Sequence, residues 1–225
     1  CEFVGNQSAI NAGYGERYQG YLRVLDCRSS NPAGGRYHII LHWTGALIQG
    51  GLHDAGTGQI CLSWQSEKAG SDVTVRDCEF RTSGLYGVIH YWPGNLVRME
   101  RVRIIGTHRD VASHGEVLGF HPDPGGGRKN VLRDCEIFIP GVRKSDATNY
   151  DYEVLLYHTL AEGNLFRTDL PAGGDRHFAI GYGRGSTARG ERFRGTAPGP
   201  HDSIRPYHNS NHDTRMPYSA PEQTT

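Results

Sequence analysis

Glu116 and Glu153 are the residues of this chain best placed for acid–base chemistry. Each is the second letter of a nine-residue segment, GEVLGFHPD (115–123) and YEVLLYHTL (152–160), and the two segments are consecutive members of one series. If they stack in register as neighbouring strands, the carboxylates lie about 5 Å apart, near the ~5–5.5 Å of retaining glycosidases. Two carboxylates that close push one pKa upward, which supplies an acid beside a base. The seventh letters add His121 and His158, and Asp123 and Tyr157 complete the group. Two Glu and two His also resemble a divalent-metal set. Their positions alternate between the faces of a strand, which counts against a shared ion, and no metal or other cofactor is expected. The plain reading competes: glutamates at strand edges are usually solvated, and any repeat brings like residues together.

The elements that would position this group form a series. YHIILHWTG (37–45), GQICLSWQS (58–66), YGVIHYWPG (86–94), the two segments above and HFAIGYGRG (177–185) recur with third letters spaced 21, 28, 29, 37 and 25 residues apart. They are short, β-branched and bounded by Gly, Pro and Asn, so they read as strands. Alternation puts letters 3 and 5 on one face and letters 4 and 6 on the other, and the family resemblance set out below implies that 3 and 5 point inward. His90 is then an inward histidine whose nitrogens need partners. The outward sixth letters are His42, Ser63, Tyr91, Phe120, Tyr157 and Tyr182. With apolar residues also at letter 4, this face is expected to be covered by a loop, the C-terminal tail, a second chain or a ligand. A sugar-binding strip of His42, Tyr91, Phe120, Tyr157 and Tyr182 is one such reading. His38 and Gln59, at letter 2, are expected on the same outer face. The polar excursion PGVRKSDATNYD (140–151) beside Glu153 fits a working loop of a repeat fold.

A second pattern alternates with the first: apolar-x-apolar-x-Asp-Cys. It stands in LRVLDCRS (22–29), VTVRDCEF (73–80) and NVLRDCEIF (130–138), with a degenerate copy in VRMERVRI (97–104) and the tail of another in CEF at 1–3. Four of the five cysteines, Cys1, Cys27, Cys78 and Cys135, occupy its cysteine position. An odd count without a C-x-x-C pair argues against a disulfide framework or a zinc site, so buried free thiols are expected.

On these D-C-x-[F/I] copies and the following G/Y-x-[V/I]-[I/L] strands, residues 1–185 resemble the right-handed parallel β-helix, or pectin-lyase-like, superfamily. The resemblance implies an all-β solenoid of about 21–37 residues per coil, stacked into ladders of like residues with a continuous core. An open stack exposes a sheet edge at each end. A chain that opens on the tail of a copy is expected to belong to a longer protein or an assembly. Residues 186–225, rich in Pro, Ser, Gly and Arg, read as an extended or disordered tail, with Phe193, Ile204, Tyr207, Met216 and Tyr218 as anchors if it packs on the solenoid.

The functional expectations are broad, because that superfamily spans polysaccharide lyases, glycosidases, epimerases, tailspikes and adhesins. Lysine plus arginine (24) equals aspartate plus glutamate (24), which gives no general attraction to nucleic acid. No apolar run reaches the ~18–20 residues of a membrane span. Asn-Thr-Asp with Asp-Asp and Gly-His-Gly, Asp-Pro-His, and Arg-x-Pro-x-x-Arg, which mark enzyme branches of the superfamily, do not occur. The leading expectation is an extracellular or virion-surface β-helix protein, tailspike- or fibre-like, that engages a polysaccharide or surface glycan and assembles as a homo-oligomer. The alternatives are a lyase or glycosidase using Glu116 and Glu153 with His121 and His158, and a purely structural solenoid.

Overall fold

A computed structural model describes residues 1–5, 8–12, 20–32, 37–42, 45–62, 72–83, 87–90, 95–106, 117–121, 123–139, 154–168, 180–194 and 222–223. Every regular element among them is a strand, and every pairing is parallel. The chain is a β-solenoid. Its seven-stranded sheet stacks Ile10–Ala12, Tyr37–Leu41, Gln59–Cys61, Val88–His90, Leu118–Phe120, Val154–Leu156 and Ile180–Tyr182 in chain order. A fourteen-stranded sheet forms the other wall. It begins with Glu2–Val4 and the ten-residue strands Tyr21–Ser30 and Gly45–Asp54, and then divides into two parallel columns of shorter strands.

The division follows from one backbone feature. Asp26, Gly50, Asp77, Arg101, Asp134, Gly163 and Gly190 all have φ between 50° and 70°. Each bends the strand at the same place in its coil. Asp tolerates this left-handed conformation better than most residues and Gly adopts it freely, which accounts for the Asp of the Asp-Cys motif. The next residue is buried in six of the seven coils, as Cys27, Cys78, Val102, Cys135, Asn164 and Glu191, and is the exposed Gly51 in the other. Gly163–Asn164 and Gly190–Glu191 are further copies of the motif that share its backbone and not its letters, and Gly50 shares the left-handed corner alone.

The core is built of inward columns. Ile39, Ile60, Val88, Leu118, Val154 and Ile180 form one, all buried. Phe80, Ile104, Ile137 and Phe166 form another on the opposite wall. Stacking at about 4.8 Å hides side chains that no single coil could cover.

Two expectations change here. The stack does not stop at 185. Thr187–Arg189 and Arg192–Arg194 pair with Leu160–Glu162 and Leu165–Arg167, and Glu222–Gln223 pairs with Arg192–Phe193. Phe193 therefore sits in the ladder, opposite Phe166, while the other tail anchors lie outside the described residues. The cysteine column is also not wholly free. Cys1 and Cys27 form a disulfide with a Cα–Cα distance of 4.6 Å. Neighbouring rungs place like positions within the 4.4–6.8 Å range that a disulfide spans, a proximity the free-thiol expectation overlooked. Cys78 and Cys135 have Val102 between them and stay free, as does Cys61, and all three are buried.

Candidate functional site

The register of the seven-stranded sheet corrects the expected aromatic strip. Leu118, not Val117, stands opposite both Val88 and Val154. Ile180 likewise stands opposite Val154. A shift of one residue reverses the facing of every side chain in a strand. Phe120 and Tyr182 therefore point inward with Leu156, at 0% and 3% exposure. Neither belongs to an outer strip. The outward column at this level runs instead through His121, Tyr157 and Gly183, with His42 three rungs before His121. His42 is buried and does not join the group. Tyr91, Glu116 and Glu153 lie outside the described residues, so the carboxylate pair has no geometry here.

The structure does bring together His121, Tyr157, His158 and Asp123 at the carboxyl ends of Leu118–Phe120 and Val154–Leu156. The backbone sets the spacing: Tyr157 N–H donates to Phe120 O at 2.7 Å, and Gly183 N–H to Leu156 O at 2.7 Å. The His121 and Tyr157 rings are 6.3 Å apart and inclined by 31°. A Cβ at Gly183 would overlap the Tyr157 ring, so the missing side chain lets the phenol lie across the next rung. His158 has φ 48°, which turns the chain at the corner and brings Nδ1 within 3.8 Å of an Asp123 oxygen. Asp123 in turn accepts from Gly125 N–H at 2.8 Å. Gly185, at φ 74°, leaves room for the His158 ring that a side chain would fill. Asn130 supports the corner by donating its backbone N–H to His158 O at 2.8 Å.

The site has an apolar ring face, two imidazoles and a carboxylate, all partly open to solvent on adjacent rungs. Such a set offers a stacking platform with hydroxyl donors and acceptors at its rim. In sequence, Gly183 and Gly185 belong to the Gly-rich GYGRG (181–185), which reads as a coil turn, and Asn130 carries no signal of its own. Only the in-register position of Gly183 after Tyr157 would have drawn attention to it.

A second polar group lies in the interior. Ser29 Oγ is 2.9 Å from His38 Nε2 and 2.7 Å from His53 Nδ1, and both imidazoles are fully buried. Burial pushes both down to about 4. Asp54 partly opposes the shift at His38, and His38 adds to the shift at His53. The remaining nitrogens, His38 Nδ1 and His53 Nε2, lack a partner in hydrogen-bond geometry, although the Ser29 and Gly50 backbones are near enough to favour the protonated rings. His38, expected on the outer face, reaches the interior because it is an extra residue. Tyr37 faces Gln59 and Ile39 faces Ile60, so His38 forms a bulge. His90 is the inward histidine anticipated above. Its nitrogens face Leu62 O at 3.3 Å and Asn95 O at 3.1 Å, and burial lowers it to about 4. These three rings are closed off from solvent and serve the core.

On the outer face of the fourteen-stranded sheet, arginines and glutamates pair across neighbouring rungs. Arg103 joins Glu79 at 3.2 Å and Glu136 at 3.4 Å, and Arg133 joins Glu162 at 2.8 Å and Glu100 at 3.6 Å. The apolar outer column is covered within one chain where it is densest: Ile40, Cys61 and Ile89 have exposures of 5% or less. No group of three or more metal-ligating side chains occurs among the described residues, and no helix there is long and apolar enough to cross a membrane.

No protein-family model, curated protein or solved structure matches this sequence.

Proposed function

We propose that this chain is a glycan-engaging β-solenoid of an extracellular or virion surface, and that His121, Asp123, Tyr157 and His158 form its contact site. The observation that carries the reading is the Tyr157 ring, held across Gly183 on a rigid parallel sheet with imidazoles and a carboxylate beside it. A sugar presents an apolar ring face edged with hydroxyls, and this site offers an aromatic face edged with groups that bind hydroxyls. The rigid scaffold avoids the ordering cost that a loop-borne site would carry. The Cys1–Cys27 disulfide supports an oxidising, exterior location. Resemblance to tailspike- and fibre-type β-helices rests on the stacked coils alone. Assembly into a homo-oligomer is part of the same proposal, although the burial of Ile40, Cys61 and Ile89 within one chain removes one reason for it.

The test is binding to a panel of neutral and acidic polysaccharides by affinity electrophoresis, with Tyr157→Ala and Gly183→Ala beside the parent. Gly183→Ala leaves every polar group in place but displaces the Tyr157 ring. The reading expects a retarded parent and loss of retardation in both variants. A parent that migrates freely through the whole panel, or variants as retarded as the parent, would sink it.

A further inference from the structure

The rung that receives the Tyr157 ring carries one residue more than the rung before it. Leu156 stands opposite Tyr182, and Leu160 stands opposite Thr187. Between these pairs the first rung has Tyr157, His158 and Thr159, and the second has Gly183, Arg184, Gly185 and Ser186. A tight turn takes up the difference. Ser186 N–H donates to Gly183 O at 3.2 Å, and Gly185, at φ 74°, supplies the left-handed third residue of such a turn. The turn is pinned to the preceding rung. The buried Ser186 Oγ donates to Leu156 O at 2.8 Å and accepts from Thr159 N–H at 3.1 Å.

Arg184 is left at the tip of this turn. Its carbonyl accepts from His158 N–H at 2.9 Å, which fixes its backbone, and its side chain is exposed. An extra residue in one rung re-aims a side chain. Here it sets a guanidinium directly after the glycine across which the Tyr157 ring lies.

The charges around the ring are unequal. Asp123 is already engaged, by Gly125 N–H at 2.8 Å and by His158 Nδ1 at 3.8 Å. Arg128 is committed to Asp72 at 2.8 Å. Lys129 is exposed and reaches only the hydroxyl of Thr187, at 2.7 Å, so its charge is not neutralised there. Arg184 has no ion-pair partner among the described residues. A guanidinium presents a rigid fork that matches the paired oxygens of an anionic group.

We propose that the glycan of this site is acidic, and that Arg184 reads its carboxylate or sulfate while the sugar ring stacks on Tyr157. This rests on the glycan reading given above.

The probes are matched pairs, compared by affinity electrophoresis. Alginate and hyaluronate are set beside their methyl esters, and dextran sulfate and fucoidan beside their desulfated forms. Each pair keeps its backbone and removes its anion. The proteins are the parent, Arg184→Gln, Arg184→Lys, Tyr157→Ala and Arg81→Gln. Arg81 is an exposed arginine on the other wall, so its loss removes the same charge away from the site. The acidic member of a pair should retard the parent more than its neutral twin does, and the pair that does so tells carboxylate from sulfate. Arg184→Gln should lose about tenfold in affinity for that member. Arg184→Lys should keep part of it, because the charge remains without the fork. Arg81→Gln should match the parent. Equal retardation within every pair overturns the inference and leaves the glycan reading standing. So does a preference that survives in Arg184→Gln, or an equal loss in Arg81→Gln. If Tyr157→Ala binds like the parent while Arg184→Gln does not, the stacking reading is wrong and the anion preference is right. A parent that no polysaccharide retards ends both.

Discussion

The hydroxyl of Ser29 and the imidazole of His53 sit on neighbouring rungs of one inward column, 2.7 Å apart. The same oxygen reaches His38 at 2.9 Å. One hydroxyl donates once and can also accept, so it can serve one neutral ring as donor and the other as acceptor. Burial of the two rings gives the first coils an acid sensitivity, because desolvation disfavours their charged forms.

The folded pKa values of His38, His53 and His90 are about 4, against 6.5 for a free imidazole. Between those values the unfolded chain binds more protons, so stability falls as pH drops from about 6.5 through 4. Each ring taken alone contributes at most about 3 kcal/mol to that loss. Urea unfolding midpoints at pH 7.5 and 4.5 should differ clearly, and equal midpoints would show that the rings are not buried neutral.

Ser29→Ala should destabilise the protein at pH 7.5 by about 1–3 kcal/mol, because it strands two buried nitrogens. Adding His53→Phe, which places a ring in a column shared with Phe80, should recover part of that loss. A double variant as unstable as the sum of the two single changes would mean the residues are not coupled.

Glu191 should act in the opposite sense. It is buried near Asn164 Nδ2, which donates to it at 3.1 Å, and burial raises its carboxyl from 4.5 to about 7. The folded state then holds the extra proton, so its contribution is full below pH 4.5 and is lost as pH rises through 7. Glu191→Gln should raise stability at pH 8 relative to the parent, with little change at pH 5. A parent-like dependence over pH 5–8 in the variant would contradict the assignment.

Much of the solenoid was legible because the Asp-Cys motif reports two physical demands at once, a left-handed backbone and a small inward side chain. Where Gly50, Gly163 and Gly190 supply the left-handed corner without the Asp-Cys letters, the coil is invisible to pattern matching, and the sequence pattern ends at 185 although the strands continue. The candidate site was harder to read. Val117 and Leu118 are equally apolar, so nothing in composition tells which stands opposite Val154, and that single step decides whether Phe120 or His121 faces outward. The bulge at His38 has no local signature at all.

The left-handed corner predicts a ranking at one position. Asp134 has φ 51° and is exposed. Asp134→Gly should leave thermal stability close to that of the parent, whereas Asp134→Val should cost about 1–2 kcal/mol from backbone strain alone. Equal melting temperatures for the two would refute the corner's role.

Thiol chemistry tests the cysteine column. Cys61, Cys78 and Cys135 are buried, and burial pushes the Cys78 and Cys135 thiols up to about 12. The native, unreduced protein should react with almost no thiol reagent, and the urea-unfolded chain should titrate three groups. Five groups in urea would show that Cys1 and Cys27 are not joined.

The alternation along the outer wall has a consequence for how the chain threads. Arg76, Glu100, Arg133, Glu162 and Arg189 follow one another on successive rungs, and Glu79, Arg103 and Glu136 do the same beside them. A register that skipped one coil would pair a strand with its next-but-one neighbour, and the nearly uniform apolar columns inside would tolerate it. On the outer wall that omission sets Arg against Arg and Glu against Glu in both columns together. The charges thus work as a parity check. Individually they add little to the strength of the finished wall, but they tell a correct count of coils from a count that is off by one.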